Sequence, residues 1–157
     1  MVENGLYTLK ASPVVEAASG GMYATGNGTF KIVTVAAQVP TTFDRQTWKI
    51  TAVRGKKDTY TIIQHHKHDI SLGGSWSLED NLSVPHGPVI TAEEHIEWEI
   101  TPANNADTYF IQAIHKSDGH NGWFVGTDHK NEVVIIRSPI FTPPFPDRPY
   151  WQFNKSS

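Results

Sequence analysis

Residues 58–62, DTYTI, recur almost unchanged as residues 107–111, DTYFI, and in a looser form as residues 5–9, GLYTL. The tyrosine at the third position of each copy therefore repeats at intervals of about 50 residues. A sequence that repeats at a fixed interval predicts one structural unit that recurs along the chain.

A second repeated element has the pattern tryptophan, polar residue, apolar residue, and it occurs at residues 48–50, 98–100 and 151–153. A third element places an aromatic residue shortly after a glycine, at Tyr23, Trp76 and Trp123. Alternating apolar and polar residues predict short strands, and clusters of Gly, Pro, Asn and Asp separate them. Each repeat is thus expected to hold four strands, which gives twelve strands in three pseudo-symmetric repeats.

This organisation predicts an all-β fold, specifically a β-trefoil, in which six strands form a barrel and six form hairpins that close one end. Propellers usually need four to eight blades, and an open solenoid would need capping repeats that the sequence lacks. We predict one domain over residues 1–157. The repeated tyrosines and tryptophans are expected to form its core, since each buries about 150–250 Å².

The composition argues against several functional classes. Only 18% of the 157 residues are charged and the formal net charge is −3, which does not suit a nucleic-acid binder. The chain has no cysteine, which excludes a catalytic thiol and favours a reducing compartment. The first residues lack the apolar segment of a signal peptide, and no apolar stretch could span a membrane. We therefore expect a cytoplasmic protein that binds neither nucleic acid nor membranes. We also expect a monomer, although the composition does not bear on self-association.

No arrangement of residues predicts catalysis or a cofactor. The acidic pairs at residues 79–80 and 93–94 are adjacent, so on a strand their side chains would face opposite ways. Residues 64–69, QHHKHD, include three histidines and could bind a divalent cation, because imidazole is a common ligand. A solvated loop is the favoured interpretation, since one run does not bring these ligands onto one face. We expect no enzymatic activity, no cofactor and no metal site.

Residues 46–48, QTW, match the QxW element of ricin-B-type lectin trefoils. The element occurs once, because the corresponding residues of the other repeats read IEW and PYW. Carbohydrate binding is therefore an alternative function.

Residues 20–24, GGMYA, resemble the GGxYA element of the mycocypins, the mushroom cysteine-protease inhibitors clitocypin and macrocypin. The similarity extends over nearly the whole chain, through residues 3–9, 46–50, 60–62 and 147–153. The resemblance implies a β-trefoil that acts in fungal defence as a reversible, tight-binding inhibitor of papain-like cysteine proteases.

In that family, two neighbouring loops enter the active-site cleft of the protease. By position, the resemblance places them between strands 1 and 2 and between strands 3 and 4, at Ser19, Gly20, Gly21, Met22, Gln38, Val39, Pro40, Thr41, Thr42 and Phe43. Two glycines let the backbone approach the nucleophilic cysteine closely. Without the resemblance they would indicate a simple hairpin turn, and with it inhibition is the favoured interpretation. Pro40 would stiffen the second loop and reduce the entropy lost on binding.

The loop between strands 5 and 6 is a candidate second protease site, at Lys67, His68 and Asp69. Mycocypins that inhibit legumain use an asparagine in this loop, whereas residues 65–73 here contain none. Asp69 lies near that position, and legumain-like enzymes accept aspartate poorly. Lys67 could instead enter the pocket of a trypsin-like protease, as related mushroom trefoils inhibit trypsin.

Overall fold

The structure is a computed structural model that describes residues 2–12, 22–65, 74–79, 87–114, 121–139 and 148–156. Within these ranges the chain forms twelve strands and a short 3-10 helix, Phe43–Arg45. The strands are β1 Gly5–Ala11, β2 Tyr23–Thr25, β3 Thr34–Ala36, β4 Trp48–Ala52, β5 Thr59–Gln64, β6 Ser75–Leu78, β7 Val89–Ala92, β8 Trp98–Pro102, β9 Thr108–Ala113, β10 Asn121–Thr127, β11 Val133–Pro139 and β12 Trp151–Lys155. The prediction of an all-β protein is confirmed. No helix in the described ranges has the length and apolar character needed to cross a membrane.

Six of these strands pair edge to edge in a closed ring. The order is β1, β4, β5, β8, β9, β12 and back to β1, and every pair is antiparallel. Closure gives each of these strands two partners and makes the sheet barrel-like. The other six described strands form the hairpins β2–β3, β6–β7 and β10–β11. Each hairpin is joined to the ring through β1, β5 or β9.

Isolated backbone bridges connect the three hairpins to one another. One bridge lies between each pair of hairpins: Ile32 with Ile90, Thr34 with Glu132, and Pro88 with Val134. The hairpins therefore pack together as one layer rather than projecting separately from the barrel.

The tryptophan that begins β4, β8 and β12 is fully buried in each case, at Trp48, Trp98 and Trp151. Each indole N–H donates a hydrogen bond of 2.9–3.0 Å to a hairpin carbonyl, on Ala24, Trp76 and Val125 respectively. The prediction that these tryptophans belong to the core is confirmed. The bonds also tie each hairpin to the ring, because a buried indole N–H needs an acceptor.

Trp76 lies at the centre of this cluster. Its ring centroid is 5.7 Å from that of Trp48, 6.1 Å from that of Trp98 and 6.0 Å from that of Trp151, all close to edge-on. Such edge-to-face geometry is favourable for aromatic pairs. One central indole thus contacts all three repeated tryptophans.

The position of Trp76 corrects the alignment of the third repeated element. The sequence aligned Tyr23, Trp76 and Trp123, whereas the carbonyls that accept the indole hydrogen bonds align Trp76 with Ala24 and Val125. The physical reason is volume, since a centre filled by one large indole leaves room only for smaller side chains at the equivalent positions.

The repeated tyrosines are buried less uniformly than the tryptophans. Tyr7 and Tyr60 are buried, whereas Tyr109 is half-buried. The Tyr7 hydroxyl donates to the carbonyl of Glu3 at 2.7 Å, and the Tyr60 hydroxyl accepts from the backbone N–H of Val2 at 3.2 Å. Burial raises the pKa of the Tyr7 and Tyr109 phenols above the ordinary value. The hydrogen bonds of Tyr7 and Tyr60 help to fix the segment that precedes β1.

Residues 138–149, SPIFTPPFPDRP, contain five prolines, a composition that predicts a rigid loop rather than a strand. The structure places Ser138 and Pro139 in β11, opposite Gly122 and Asn121 of β10. A proline fits at the last position of a strand because the missing N–H interrupts no further ladder bond. Residues 140–147 lie outside the described ranges.

Glu99, on β8, carries a half-buried carboxyl group whose charge is expected to lower the stability of the barrel. Burial, and then the charge of Asp58, raise the pKa of its carboxyl group. A raised pKa in the folded state means that stability is highest below the ordinary pKa and falls as the pH rises through the folded pKa. We therefore expect Glu99→Gln to stabilise the protein at pH 7 by a few tenths of a kcal/mol, a small value because solvent screens a half-buried group.

The measurement is urea unfolding of Glu99→Gln and wild type at pH 4 and pH 7. The gain should shrink at pH 4, where the wild-type carboxyl group takes up its proton. Glu97→Gln is the control, since Glu97 pairs with Lys56 at 2.7 Å and its loss should give no gain. An equal gain from both variants would contradict the assignment to Glu99.

Candidate functional site

The structure brings together the ends of the two loops that the sequence singled out. We define the β1–β2 loop as residues 12–22 and the β3–β4 loop as residues 37–47. Tyr23 pairs with Ala36 in the β2–β3 hairpin, so Met22 and Ala37 leave the sheet next to each other. The half-buried Met22 packs against the core, and its carbonyl accepts from the N–H of Ala11 at 2.9 Å. Ser19, Gly20 and Gly21 lie outside the described residues.

The β3–β4 loop is exposed and carries apolar side chains. Residues 38–41, which include Pro40, are exposed, and Thr42 is half-buried. Val39 is 43% exposed and Phe43 is 56% exposed. Exposed apolar side chains grouped on one segment are typical of a binding surface.

The tip of the β3–β4 loop is closed by its own hydrogen bonds. The Thr42 hydroxyl donates to the carbonyl of Ala37 at 2.7 Å and accepts from the N–H of Val39 at 3.2 Å. The N–H groups of Thr42 and Phe43 both donate to the carbonyl of Val39 at 2.9 Å. The 3-10 helix Phe43–Arg45 follows directly. The tip is therefore a compact turn rather than an extended segment.

Two buried glutamines hold the base of the loop. The Gln46 Nε2 atom lies 3.0–3.2 Å from three acceptors, the Thr25 hydroxyl and the carbonyls of Ala36 and Ala37. The Gln64 Nε2 atom donates to the carbonyl of Arg45 at 2.9 Å. Gln46 is fully buried and Gln64 nearly so. Both amides therefore fix backbone carbonyls at the start and at the end of the loop.

Arg45 attaches the loop to the β2–β3 turn, which we define as residues 26–33. Its Nη1 atom donates to the carbonyl of Gly26 at 3.1 Å and to Oδ1 of Asn27 at 2.9 Å. The carbonyl of Arg45 in turn accepts from the N–H of Gly26 at 2.9 Å. A Cβ atom at Gly26 would collide with the side-chain amide of Gln64, so only glycine leaves room for this arrangement.

Replacing Gln46 with leucine should loosen this loop. The carbonyls of Ala36 and Ala37 would lose a buried donor, and we expect the free energy of unfolding to fall by about 1–3 kcal/mol. Backbone hydrogen exchange should accelerate in residues 37–45 more than in the barrel strands. Gln112→Leu, on β9, is the control and should not change exchange in the loop. Unchanged exchange in Gln46→Leu would contradict the positioning role of Gln46.

The candidate second protease site is assigned to the loop between β5 and β6, of which the structure describes the two ends. The N–H of His65 donates to the carbonyl of Thr47 at 2.9 Å, so the β5–β6 loop, residues 65–74, begins beside the end of the β3–β4 loop. Lys67, His68 and Asp69 lie outside the described residues, as does His66. Among the described residues, no group of three His, Cys, Asp or Glu side chains could hold a metal ion.

Sequence reasoning missed the residues that support the loop. The sequence places Gln46 in a lectin-like QxW element and in a stretch that resembles the mycocypins, but it predicts no structural role for Gln46, Arg45 or Gln64. One available signal was the spacing of Gln46 from Trp48. Residues two apart on an extended segment point the same way, so a residue two positions before a core tryptophan is expected to be buried. A buried amide then implies carbonyl partners.

The family model of the peptidase inhibitor clitocypin matches residues 5–153 of this sequence. The chain belongs to the clitocypin family. The resemblance to the mycocypins is thus confirmed. The family is one of peptidase inhibitors rather than enzymes, which agrees with the expectation of no enzymatic activity. A search of curated protein sequences finds no match to this clitocypin-family protein.

Two solved structures share the fold of this clitocypin-family protein. The Rhizoctonia solani agglutinin superposes with a TM-score of 0.66 at 13% sequence identity, covering 99% of this chain and 98% of the agglutinin. The PSL1a–E64 complex gives a TM-score of 0.63 at 16% identity over 99% of this chain. This chain spans about half of the latter protein, 48% of its length. At these identities the likeness concerns the fold alone.

Proposed function

We propose that this protein is a reversible, tight-binding inhibitor of papain-like cysteine proteases, and that its β1–β2 and β3–β4 loops occlude the active-site cleft. Membership of the clitocypin family supports a protease as the partner. The observation that carries the choice of site is the β3–β4 loop itself, in which exposed Val39 and Phe43 are presented by a segment fixed at its tip and its base.

The geometry of the loop suits inhibition rather than cleavage. A papain-like cleft contains a cysteine activated by a histidine, which attacks an accessible peptide carbonyl. The 3-10 turn at Phe43–Arg45 and the hydrogen bonds of Thr42 hold the loop in a compact form that does not offer an extended peptide. A loop that is ordered before binding also loses less conformational entropy on association, which favours tight binding.

We further propose that the fold is a β-trefoil and that the protein acts as a cytoplasmic monomer. The closed ring of six strands, the three bridged hairpins and the three matching tryptophan hydrogen bonds support the trefoil. The absence of cysteine supports a reducing compartment.

A second candidate function is inhibition of a trypsin-like protease or of legumain through Lys67, His68 and Asp69. The contact between His65 and Thr47 favours it, because it places the start of the β5–β6 loop beside the proposed papain-binding loop. Carbohydrate binding through the QxW element is less favoured, since the Gln46 amide is buried and bonded to backbone carbonyls.

A panel of papain, legumain and trypsin tests these functions. Wild type should inhibit papain at nanomolar to micromolar concentrations, and a bulky residue at Gly21 should weaken that inhibition without unfolding the protein. Inhibition of trypsin that disappears in Lys67→Ala would assign the second site. Activity of papain that is unchanged at micromolar protein would exclude the proposed function.

A further inference from the structure

Phe30, in the β2–β3 turn, is the most exposed large apolar side chain among the described residues, at 68%. Its backbone has a φ of 65°, a left-handed conformation that bulky residues rarely adopt. Its N–H donates to the carbonyl of Thr91 at 2.6 Å, and the Thr91 hydroxyl donates to the carbonyl of Gly28 at 2.6 Å. The buried Thr91 thus fixes the turn in this conformation.

The turn of the β10–β11 hairpin also contains a left-handed residue, Asn131, with a φ of 62°. It lies one position later in its turn than Phe30, because the N–H of Asn131 donates to Asp128 as that of Lys31 donates to Gly28. Asparagine adopts this backbone region readily, whereas phenylalanine does not. The Phe30 side chain is mostly exposed, so its burial adds little stability to the folded protein. Residues held in a sparsely populated conformation are often found at functional sites. Phe30 is therefore explained better by a contact with a partner than by the fold.

The position of the turn indicates which partner that is. Arg45 binds the β2–β3 turn to the β3–β4 loop, and Phe30, Val39 and Phe43 are three of the four exposed large apolar side chains in the described ranges. Arg45 is bonded to Gly26, Phe43 lies two residues from Arg45, and Phe30 lies four residues from Gly26. The reach of these short segments limits the distance between the Cα atoms of Phe30 and Phe43 to about 25–30 Å. A standard interface covers about 800 Å² on each partner, which is about 30 Å across. One protease can therefore reach both segments.

We propose that Phe30 is a second anchor for the same papain-like protease, contacting the enzyme surface outside the cleft that the β3–β4 loop enters. This inference rests on the proposed function. An aromatic side chain on a fixed turn loses little entropy on binding, and such residues often carry much of the affinity of an interface.

The test is Phe30→Asn, which installs a residue type that tolerates a left-handed backbone. The melting temperature should rise by a few degrees, because the strained residue is removed. The inhibition constant for papain should rise by about tenfold, mainly through faster dissociation. A purely structural role would move stability and inhibition in the same direction, whereas the anchor role moves them in opposite directions.

Controls separate this inference from the proposed function. Ile114→Asn, which removes the fourth exposed apolar side chain, should leave papain inhibition unchanged. If wild type inhibits papain and Phe30→Asn inhibits it equally well, the anchor role is overturned while the proposed function stands. Failure of wild type to inhibit papain overturns both. Sedimentation of Phe30→Asn and wild type tests whether the turn is instead a contact between copies of the chain. Altered self-association with unaltered inhibition would also overturn the anchor role.

Discussion

Replacing Trp76 with alanine is expected to lower the free energy of unfolding by about 3–5 kcal/mol and the melting temperature by about 10 °C. Trp76 is fully buried and contacts the rings of Trp48, Trp98 and Trp151. Its removal would leave a cavity that the neighbouring rings cannot fill, since each is held by an indole hydrogen bond to a hairpin carbonyl. Chemical unfolding followed by tryptophan fluorescence measures the loss.

Trp76→Phe is the matched comparison. The Trp76 N–H has no hydrogen-bond partner within the described part of the chain, so phenylalanine removes an unsatisfied donor along with some volume. We expect Trp76→Phe to cost clearly less than Trp76→Ala. A loss below about 1 kcal/mol for Trp76→Ala would contradict the central position of this side chain.

Replacing Phe43 with aspartate is expected to weaken inhibition of papain by about 100-fold, which corresponds to about 2.7 kcal/mol of binding free energy. The change removes an aromatic contact and introduces a charge that would lose its hydration in the cleft. Stability should change by no more than about 0.5 kcal/mol, because the Phe43 side chain is 56% exposed in the free protein.

The measurement combines the inhibition constant with the melting temperature of the same samples. Ile114→Asp is the control, since Ile114 is similarly exposed, at 52%, but lies at the end of β9 and outside the β3–β4 loop. Full inhibition by Phe43→Asp would remove this loop from the proposed interface. Equal losses in both variants would indicate a general effect of added charge.

The core was predictable from sequence because its residues repeat. Trp48, Trp98 and Trp151 recur at a nearly constant interval, and each proves to be buried with the same kind of hydrogen bond. The central place of Trp76 was not predictable in this way. It depends on the small side chains of Ala24 and Val125. These residues lie at the positions equivalent to Trp76 only once the three repeats have packed together.

The sequence indicated a candidate binding loop but not the contacts that hold it. The resemblance to the mycocypins indicated residues 38–43, and the apolar character of Val39 and Phe43 is visible in the sequence. The partners that hold the loop are far away along the chain: Gln64 lies well beyond Arg45, and Gly26 well before it. No local pattern relates such residues, because their contacts depend on the register of β2, β3 and β5. The strained backbone at Phe30 likewise has no signal in its own segment.

The most direct test of cleft occlusion is a titration of active papain with the wild-type protein at several concentrations of a small peptide substrate. We expect a stoichiometric end point of one inhibitor per enzyme, an apparent inhibition constant that increases with substrate concentration, and recovery of activity on dilution. Inhibition that is independent of substrate concentration, or no inhibition at micromolar protein, would contradict occlusion of the active-site cleft.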